Sequence, residues 1–482
     1  MPSRKRSAAP ERLTASMFYK YDACPHWLYF DVYGDPKKMA KRSAFAEMLL
    51  EGGRLHEKAL IAGIDCVEVR GDTKEERFEA TLRLMRGGAP CIYQGVLIDD
   101  EFEGVPDILE RRDGGSSAFG AYHYVAVDIK SAEKLSDAHK YQLACYGELL
   151  ARIQGVRPEE GYILNGSGAR IGFPLKEFEP QFRQAVAEIR ETLAGHPPAP
   201  HVSSSCKQSP WFKECLAFAE ERDDIALLYN VKKKVVLALR EHGVKTVHDA
   251  AGIDVDRLGA ADPVFKRALL ERIVLQAKAL IGHRHYIRKK IGLPEAPLEI
   301  FFDIEGDPLR QVEYLFGFLV RRGKEEAYEY QLAERPEDEW KMWEQFLDWV
   351  EKLEGEYVVY HYGTYELTRI VMLERRHGGS RALDRFRDRL VDLNEIVKDA
   401  VVFPLYFYGI KDIGKYIDYV RAGAIEGGGE SVAFYEDWLN HGDRKKLKAI
   451  IEYNKDDVVA TRYLKDWLAH ERERAHEELE EK

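Results

Sequence analysis

The sequence lacks any apolar run that approaches the ~20 residues of a membrane-spanning helix. Its first ten residues, MPSRKRSAAP, are basic, but no apolar segment of the kind found in secretory signals follows them. These two absences predict a cytoplasmic protein without a membrane partner. The length of 482 residues allows two or three domains, and the content of 45% apolar and 32% charged residues is typical of globular proteins.

A net positive charge is also absent. The chain carries 72 basic and 83 acidic residues, a net charge of −11, which argues against a protein that coats nucleic acid through its overall charge. Nucleic acid is not excluded, because local basic grooves make the contact and acidic metal sites lower the total. Candidate basic contacts are Lys232–Lys234, Arg284, Arg288–Lys290, Lys445 and Lys446. Candidate aromatics for stacking on bases, most of them expected in the core, are Tyr360, Tyr362, Tyr365, Tyr406, Phe407, Tyr408, Trp211 and Phe212.

Cysteine is scarce, with six residues in the whole chain. In a large cytoplasmic protein, cysteines are more often buried thiols or metal ligands than disulfides. We therefore expect Cys66, Cys91 and Cys145 to be plain core residues.

The sequence pattern divides the chain into three parts. Residues 1–220 mix helical and strand patterns, residues 221–296 are helical in pattern, and residues 297–482 open with a strand pattern after a proline-marked boundary. In the last part, three strands, a helix, a strand and a helix follow in order, which predicts an α/β domain of the RNase H-like kind. The helical middle is either a helix-hairpin-helix-like unit that grips phosphates or a plain connector.

A first catalytic pattern lies in the N-terminal part. Asp128 and Lys130 are two apart in the strand pattern YHYVAVDIKS, so both side chains leave the same face. The carboxylate can hold Mg²⁺ or Mn²⁺, while the lysine orients water and neutralises charge developing on phosphorus. Asp107 would be the second carboxylate, and His56 would add an imidazole ligand that favours Mn²⁺. The alternative is that Asp128 and Lys130 form a simple surface ion pair.

These residues, in this order, resemble the RecB-type branch of the PD-(D/E)xK nucleases, and within it the CRISPR-associated, iron–sulfur-bearing RecB-like exonucleases. Those proteins carry a histidine helix, a G-x-x-D strand, a (D/E)-x-K strand and a Q-x-x-x-Y helix. The matching residues, within about 15–220, are His56, Asp107, Asp128 with Lys130, and Gln142 with Tyr146. The resemblance implies a restriction-endonuclease-like core, catalytic roles for Gln142 and Tyr146, Mg²⁺ or Mn²⁺ as cofactor, and single-stranded DNA as the favoured substrate.

The same resemblance implies a [4Fe–4S] cluster, held by one N-terminal cysteine and a C-x2-C-x5-C group after the core. Cys24, Cys206 and Cys215 match three of the four positions, but Ser209 stands where the middle cysteine of the group is expected. Thiolates suit iron–sulfur clusters and serine suits them poorly. The alternatives are ligation by Ser209, a labile cluster, another metal, or no cluster with the cysteines packed as small apolar side chains.

A second catalytic pattern lies in the C-terminal part. Asp303 and Glu305 in FFDIEGDP are two apart on a predicted strand and so share a face. Two carboxylates that close repel, and near neutral pH both stay ionised only with a cation between them. Glu366 and Asp457 would complete four carboxylates, and Tyr453, four residues before Asp457 on one helical face, could orient water. This set suits two metal ions about 4 Å apart that clamp the attacking water and the leaving oxygen.

This half resembles the DnaQ-like 3′–5′ exonucleases of the DEDD type, in their tyrosine variant, and the RNase H-like domain fused to RecB-like nucleases in a bacterial and archaeal family. The D-x-E strand and the Y-x3-D helix match over residues 297–470. Glu366 departs from the pattern, since the superfamily usually has an aspartate there, and Asp392 and Asp412 compete for the same role. Asp456 is expected to face elsewhere on its helix.

Together these patterns predict a nuclease with a PD-(D/E)xK core, a helical middle and a C-terminal RNase H-like mixed-sheet domain. The first site is expected to cut single-stranded DNA, and the second to trim 3′ ends of DNA or RNA. One alternative is a nucleic-acid-binding subunit of a defence or repair complex in which one or both sites are inactive. Another is an RNase, with RNA as the true substrate of the second site.

Overall fold

The computed structural model describes residues 10–130, 132, 134–422, 425 and 427–480. The chain divides into two units: the first holds residues up to 42 and residues 49–222, and the second holds residues 43–48 and those from 223 onward. None of the helices in the described ranges is long and apolar enough to cross a membrane.

Among its described residues, the first unit contains nine strands, six complete helices and the greater part of a seventh, α3. Its strands are β1 (Leu13–Thr14), β2 (Val67–Glu68), β3 (Cys91–Tyr93), β4 (Leu97–Ile98), β5 (Phe102–Gly104), β6 (Ile108–Ser117), β7 (Gly120–Ile129), β8 (Glu160–Leu164) and β9 (Arg170–Pro174). The helices are α1 (Ala15–Ala23), α2 (Pro25–Tyr33), α3 (Ala44–Ile61), α4 (Lys74–Arg86), α5 (Asp137–Gln154), α6 (Glu179–Leu193) and α7 (Phe212–Glu220).

A six-stranded sheet in the order β2-β3-β6-β7-β8-β9 forms the centre of this unit. The alternating, β-branched pattern predicted a strand at 122–131, and β7 confirms it, antiparallel to β6 and parallel to β8. Residues 138–153, in which apolar residues recur at helical spacing, lie in α5, which begins with a capping box at Ser136 and ends before Gly155 in the left-handed region (φ 75°). Leu143 and Leu149 of α5 are fully buried in the core of this unit.

The cysteine expectation is wrong for one pair, because Cys66 and Cys91 are joined by a disulfide. The cause lies in strand pairing: β2 runs parallel to β3 with Val67 opposite Ile92, so the residues just before them stand side by side, with Cα atoms 4.5 Å apart. Sequence spacing alone could not reveal this pairing. Cys145 is buried with a free thiol, as expected.

The disulfide predicts the thiol count of the purified protein. Titration with a thiol reagent in denaturant, without prior reduction, should find four free thiols per chain, since Cys66 and Cys91 are linked. The Cys66→Ser variant, which releases Cys91, should give five. Six thiols in the unsubstituted protein would contradict the pairing, and six after reduction is the control.

The second unit contains the remaining elements of the described chain. Its strands are β10 (Tyr286–Ile287), β11 (Leu298–Asp307), β12 (Val312–Arg322), β13 (Glu325–Leu332), β14 (Tyr357–His361), β15 (Leu390–Asp392) and β16 (Val401–Val402). Its helices are α8 (Lys233–Glu241), α9 (Val247–Ala251), α10 (Val255–Ala261), α11 (Arg267–Gly282), α12 (Glu339–Glu351), α13 (Tyr365–His377), α14 (Arg381–Arg387), α15 (Leu393–Ala400), α16 (Ile410–Tyr416), α17 (Gly428–His441) and α18 (Arg444–Glu480).

A mixed five-stranded sheet in the order β13-β12-β11-β14-β15 forms the centre of the second unit. β11, β12 and β13 are antiparallel neighbours, whereas β14 and β15 run parallel to β11. The predicted order of three strands, a helix, a strand and a helix is confirmed by β11–β13, α12, β14 and α13. The predicted helical middle contains α8–α11, but from His283, which lies in the left-handed region (φ 48°), to residue 296 the chain is irregular apart from β10, which pairs with β16.

The two faces of β11 have different neighbours, and this decides where the acidic residues lie. Ile300 and Phe302 pack into an aromatic core with α12 and α14. Phe301, on the opposite face, packs with Val458 and other residues of α18. Because side chains alternate along a strand, Asp303 and Glu305 share the face of Phe301, under α18.

Candidate active sites

Three carboxylates meet between β11 and α18. Within the described residues, Asp303, Glu305 and Asp457 form a group whose ligand oxygens all lie within 4.8 Å of one another, and no other group of three His, Cys, Asp or Glu there meets this distance. Glu305 and Asp457 are buried, and Asp303 is partly exposed. We call these three residues the acidic triad.

Burial and mutual repulsion act together in the acidic triad. Burial, and then the charges of Glu305 and Asp457, hold the pKa of Asp303 well above its usual range. The pKa of Glu305 is likewise raised, by burial and by Asp457. Burial also raises the pKa of Asp457, although Arg421 and Lys411 oppose it. Oxygen ligands that repel one another in this way fit a divalent cation such as Mg²⁺ or Mn²⁺, which would relieve the repulsion.

Asn454 supports the triad and was missed by the sequence reasoning. Its Nδ2 donates to Asp303 Oδ2 at 2.8 Å, and its Oδ1 accepts from the Tyr328 hydroxyl at 2.8 Å. Gly317, which lies opposite Asp303 on β12, makes room for it, because a Cβ there would stand 1.6 Å from Asn454 Oδ1. The glycine in YLFGF was the sequence signal, since a glycine inside a strand can mark a close approach.

Tyr453 stands where the helical spacing predicted, on α18 beside Asp457. The side chain is buried, and the Lys411 ammonium donates to its hydroxyl at 3.1 Å. Burial and the carboxylates of Asp457 and Glu305 hold the pKa of Tyr453 far above its usual range, so the hydroxyl keeps its proton. Lys411, on α16, is a second residue of this candidate site that the sequence did not single out.

The fourth predicted carboxylate is near the triad but outside the 4.8 Å group. Glu366 is buried at the start of α13, where its Oε2 lies 3.2 Å from His361 Nδ1. Its charge still contributes to the raised pKa of Asp303. Asp392, one competitor for this role, caps α15 by accepting from the backbone N–H of Asn394, and it also accepts from that of Gly363, each at 2.8 Å.

Two further aspartates lie outside the triad. Asp412, the other competitor, sits on α16 next to Lys411. Asp456 faces away from the triad as expected: its Oδ1 accepts from the Tyr419 hydroxyl at 2.8 Å.

In the first unit, three predicted residues converge where β6 begins and β7 ends. Asp128 is 2% exposed, and its Oδ2 lies 2.7 Å from Lys130 Nζ. The backbone N–H of Ile129 donates to Asp107 Oδ2 at 2.7 Å, and that of Asp107 points to Asp128 Oδ1 at 3.4 Å. The ion pair of Asp128 with Lys130 is therefore not a simple surface pair, because its carboxylate is buried.

Burial and the Asp128 charge raise the pKa of Asp107 to about 8. Burial tends to lower the pKa of Lys130, but the charges of Asp128 and Asp107 outweigh it and leave a net upward shift, so the ammonium stays charged. Without a cation, Asp107 therefore keeps its proton near neutral pH beside the charged Lys130 ammonium.

The helix α3 brings Glu57, rather than His56, into this network. Glu57 Oε1 accepts from Gln94 Nε2 at 2.7 Å and from the Tyr93 hydroxyl at 2.9 Å, and the same Gln94 nitrogen lies 3.4 Å from Asp107 Oδ1. His56 Nε2 is buried and has no hydrogen-bond partner among the described residues. His56, Asp107 and Asp128 do not form a ligand group within 4.8 Å in that part of the chain.

The predicted Q-x-x-x-Y helix is α5. Tyr146 is buried, and its hydroxyl donates to the carbonyl of Val105 at 3.3 Å. Its ring lies against Gly104, where a Cβ would stand 2.8 Å from it, which explains the glycine of the G-x-x-D pattern. Gln142 is partly exposed one turn earlier on the helix.

The three predicted cluster cysteines come together in the first unit. Cys24, Cys206 and Cys215 are each at most 4% exposed and pack with Trp211, and Cys24 Sγ lies 3.5 Å from Cys215 Sγ. Ser209 is also buried, but its hydroxyl accepts from the backbone N–H of Trp211 at 3.1 Å. Three thiols thus pack in one cluster, although their sulfurs do not form a group within 4.8 Å among the described residues, and the fourth predicted position is a serine that caps a turn.

Several predicted nucleic-acid contacts are used for packing or pairing instead. Tyr360 and Tyr408 are buried in the core under α18. Arg288 and Lys289 both pair with Asp399. Tyr365 remains 37% exposed at the start of α13 and can still stack.

Comparison with known protein families supports the RNase H-like prediction for the second unit. Residues 300–469 match the family model described as RNase_H superfamily. This part of the chain therefore carries an RNase H-like domain, which indicates nuclease-type activity on a nucleic-acid substrate. No curated protein matches the chain.

The raised pKa of Asp107 predicts a pH dependence. Without metal, the folded protein keeps this proton between about pH 4 and 8 while the unfolded chain has lost it, so the group lowers stability as the pH rises through that window. Asp107→Asn, which stays neutral, should therefore gain stability over the unsubstituted protein by up to about 1.4 kcal/mol per pH unit. Urea unfolding in EDTA at several pH values measures this. Asp113→Asn, at an exposed carboxylate of the same unit, is the control. If the unfolding free energies of Asp107→Asn and the unsubstituted protein changed with pH in the same way, the raised pKa of Asp107 would be wrong.

The close approach at Gly317 predicts a coupled loss of stability and metal binding. Gly317→Ala must displace Asn454, so it should cost about 1–3 kcal/mol of unfolding free energy. It should also weaken Mn²⁺ binding about 10–100-fold, because Asp303 loses its supporting hydrogen bond. Urea unfolding and calorimetric Mn²⁺ titration measure the two effects. Gly292→Ala, where an added Cβ meets nothing within 4 Å, is the control, and equal behaviour of the two variants would refute the role of the glycine.

Proposed function

We propose that the chain is a metal-dependent nuclease whose RNase H-like domain hydrolyses phosphodiester bonds at the 3′ ends of DNA or RNA. The observation that supports this most directly is the acidic triad, because three carboxylates within 4.8 Å of one another, two of them buried, are unfavourable without a cation. The triad lies within the segment that matches the RNase_H superfamily.

Each residue of this site has a proposed role. Asp303, Glu305 and Asp457 would hold Mg²⁺ or Mn²⁺, with Glu366 as a further ligand. Bound divalent ions supply Lewis-acid chemistry, which polarises the phosphate and acidifies water. The Tyr453 hydroxyl, fixed by Lys411 at 3.1 Å, would orient the attacking water by hydrogen bonding.

The first unit would supply a second nuclease site of the PD-(D/E)xK type, acting on single-stranded DNA. Asp107 and Asp128 would hold the cation, and Lys130, 2.7 Å from Asp128, would neutralise charge on the scissile phosphate. His56 would be a further, imidazole ligand of this cation, and Glu57 would support Asp107 through Gln94. Gln142 and Tyr146 would position α5 and the substrate.

The iron–sulfur cluster forms a separate part of the proposal. Cys24, Cys206 and Cys215 fit three of its four ligand positions, and Ser209 fits the fourth poorly because its hydroxyl is already used. The nuclease proposal does not depend on this cluster, which would act as a structural link between segments far apart in sequence.

Cleavage by single-site variants tests the two-site proposal. The full chain with Mn²⁺ should shorten end-labelled single strands, and EDTA should stop it. Asp128→Ala should remove one activity and Asp303→Ala another, each by more than about 100-fold, since each loses a metal ligand. Parallel DNA and RNA substrates assign the activities.

Asp348→Ala, at an exposed carboxylate on α12, is the control and should cut normally. No cleavage by the unsubstituted chain would favour the binding-subunit alternative. The same activity lost in both Asp128→Ala and Asp303→Ala would count against two independent sites.

A further inference from the structure

Arg421, which follows α16, contacts one residue of the acidic triad, Asp457 on α18. Its Nη2 donates to Asp457 Oδ1, and its Nε lies 2.9 Å from Asp456 Oδ2. The guanidinium carbon lies 5.6 Å from the centre of the Tyr453 ring. The guanidinium of Arg421 thus bridges two adjacent carboxylates, and one of them, Asp457, belongs to the triad.

The remaining nitrogen of this guanidinium is not used. Arg421 Nη1 is buried and finds no hydrogen-bond acceptor in the described part of the chain. Buried N–H groups without an acceptor are unfavourable. The guanidinium that contacts Asp457 through Nη2 therefore has an unused N–H donor, which an anionic oxygen of a substrate would satisfy if the side chain turned.

Arg421 and a divalent cation would compete for Asp457. Both are attracted by the same carboxylate, and two cations a few ångströms apart repel each other. A cation that binds the triad must therefore weaken or displace the ion pair of Arg421 with Asp457. Asp456, which lies outside the triad, would keep hold of the arginine at Nε.

We infer that Arg421 is an exchangeable counter-ion of the RNase H-like site: it neutralises Asp457 before the cation binds, then turns its free guanidinium nitrogens to a phosphate oxygen of the substrate. The inference rests on the function proposed above. It assigns to this arginine two opposite effects, weaker binding of the cation and tighter binding of the phosphate.

The test measures both effects on the full chain carrying Asp128→Ala, which removes a ligand of the cation proposed for the first unit, so that Mn²⁺ binding reports the RNase H-like site; this background is the unsubstituted reference for the variants below. Calorimetric titration with Mn²⁺ should show about tenfold tighter binding, or more, for Arg421→Gln than for the unsubstituted protein, because a competing charge is gone. Thymidine 5′-monophosphate, titrated with Mn²⁺ saturating, should bind about tenfold more weakly, because a charge-assisted donor is lost. A purely structural role would weaken both.

Arg421→Lys separates charge from geometry. Lysine keeps the positive charge but lacks the planar fork, so Mn²⁺ affinity should stay near the original value while nucleotide binding falls. This variant also serves if Arg421→Gln does not fold. Arg321→Gln is the matched control, because Arg321 likewise bridges two carboxylates, Glu299 on β11 and Asp466 on α18, away from the triad; it should change neither affinity.

The outcomes separate this inference from the proposed function. If the unsubstituted chain binds no Mn²⁺, or if Asp457→Asn binds it equally well, the proposed metal site is wrong. If Asp457→Asn loses Mn²⁺ but Arg421→Gln binds it no more tightly than the original, only the counter-ion role is overturned. Unchanged nucleotide binding in Arg421→Gln would likewise overturn its phosphate contact.

Discussion

Electrostatic repulsion among Asp303, Glu305 and Asp457 is the constraint around which the second unit is organised. Burial removes the water that would screen these charges, so the fold must hold the three groups together by other interactions. The aromatic core on the opposite face of β11 fixes the strand, and α18 is anchored by Val458 and other apolar side chains under it. Packing on both faces of the strand thus holds the three carboxylates close together despite their mutual repulsion.

Each unit balances its buried carboxylates in a different way. In the first unit, Lys130 pairs directly with Asp128, and Asp107 keeps a proton, so the group approaches neutrality by itself. In the second unit, Lys411 and Arg421 approach from α16 and the segment after it, and Asn454 donates to Asp303. Stability lost to such charge clusters is common where function needs them.

Sequence periodicity predicted the parts of these sites that depend on local geometry. The two-residue spacing placed Asp303 and Glu305 on one face of β11, and the four-residue spacing placed Tyr453 beside Asp457 on α18. The strand and helix of the first site, β7 and α5, also followed from periodicity.

Contacts that depend on register and chain path could not be predicted in the same way. The pairing of Gly317 with Asp303, which makes room for Asn454, is fixed only once β11 and β12 are aligned. The disulfide of Cys66 and Cys91 required the parallel pairing of two short strands. Glu57, which the sequence did not single out, enters the hydrogen-bond network beside Asp107, because adjacent residues point about 100° apart around a helix and Glu57 faces elsewhere than His56.

The helix α18 shows why one element can supply so much of a site. At about 100° per residue, Tyr453 and Asp457 point within about 40° of each other, while Asn454 and Asp456 flank them on either side. The observed partners follow this order: Asn454 reaches Asp303, Asp457 joins the triad, and Asp456 turns to Tyr419 and Arg421. The five residues 453–457 of this helix therefore carry a proposed metal ligand, a proposed water-orienting group, a hydrogen-bond support and the anchor of the proposed counter-ion. Rotating or shifting α18 would disturb all four at once, so the packing that fixes this helix against β11 and β12 is as necessary to the site as the carboxylates themselves.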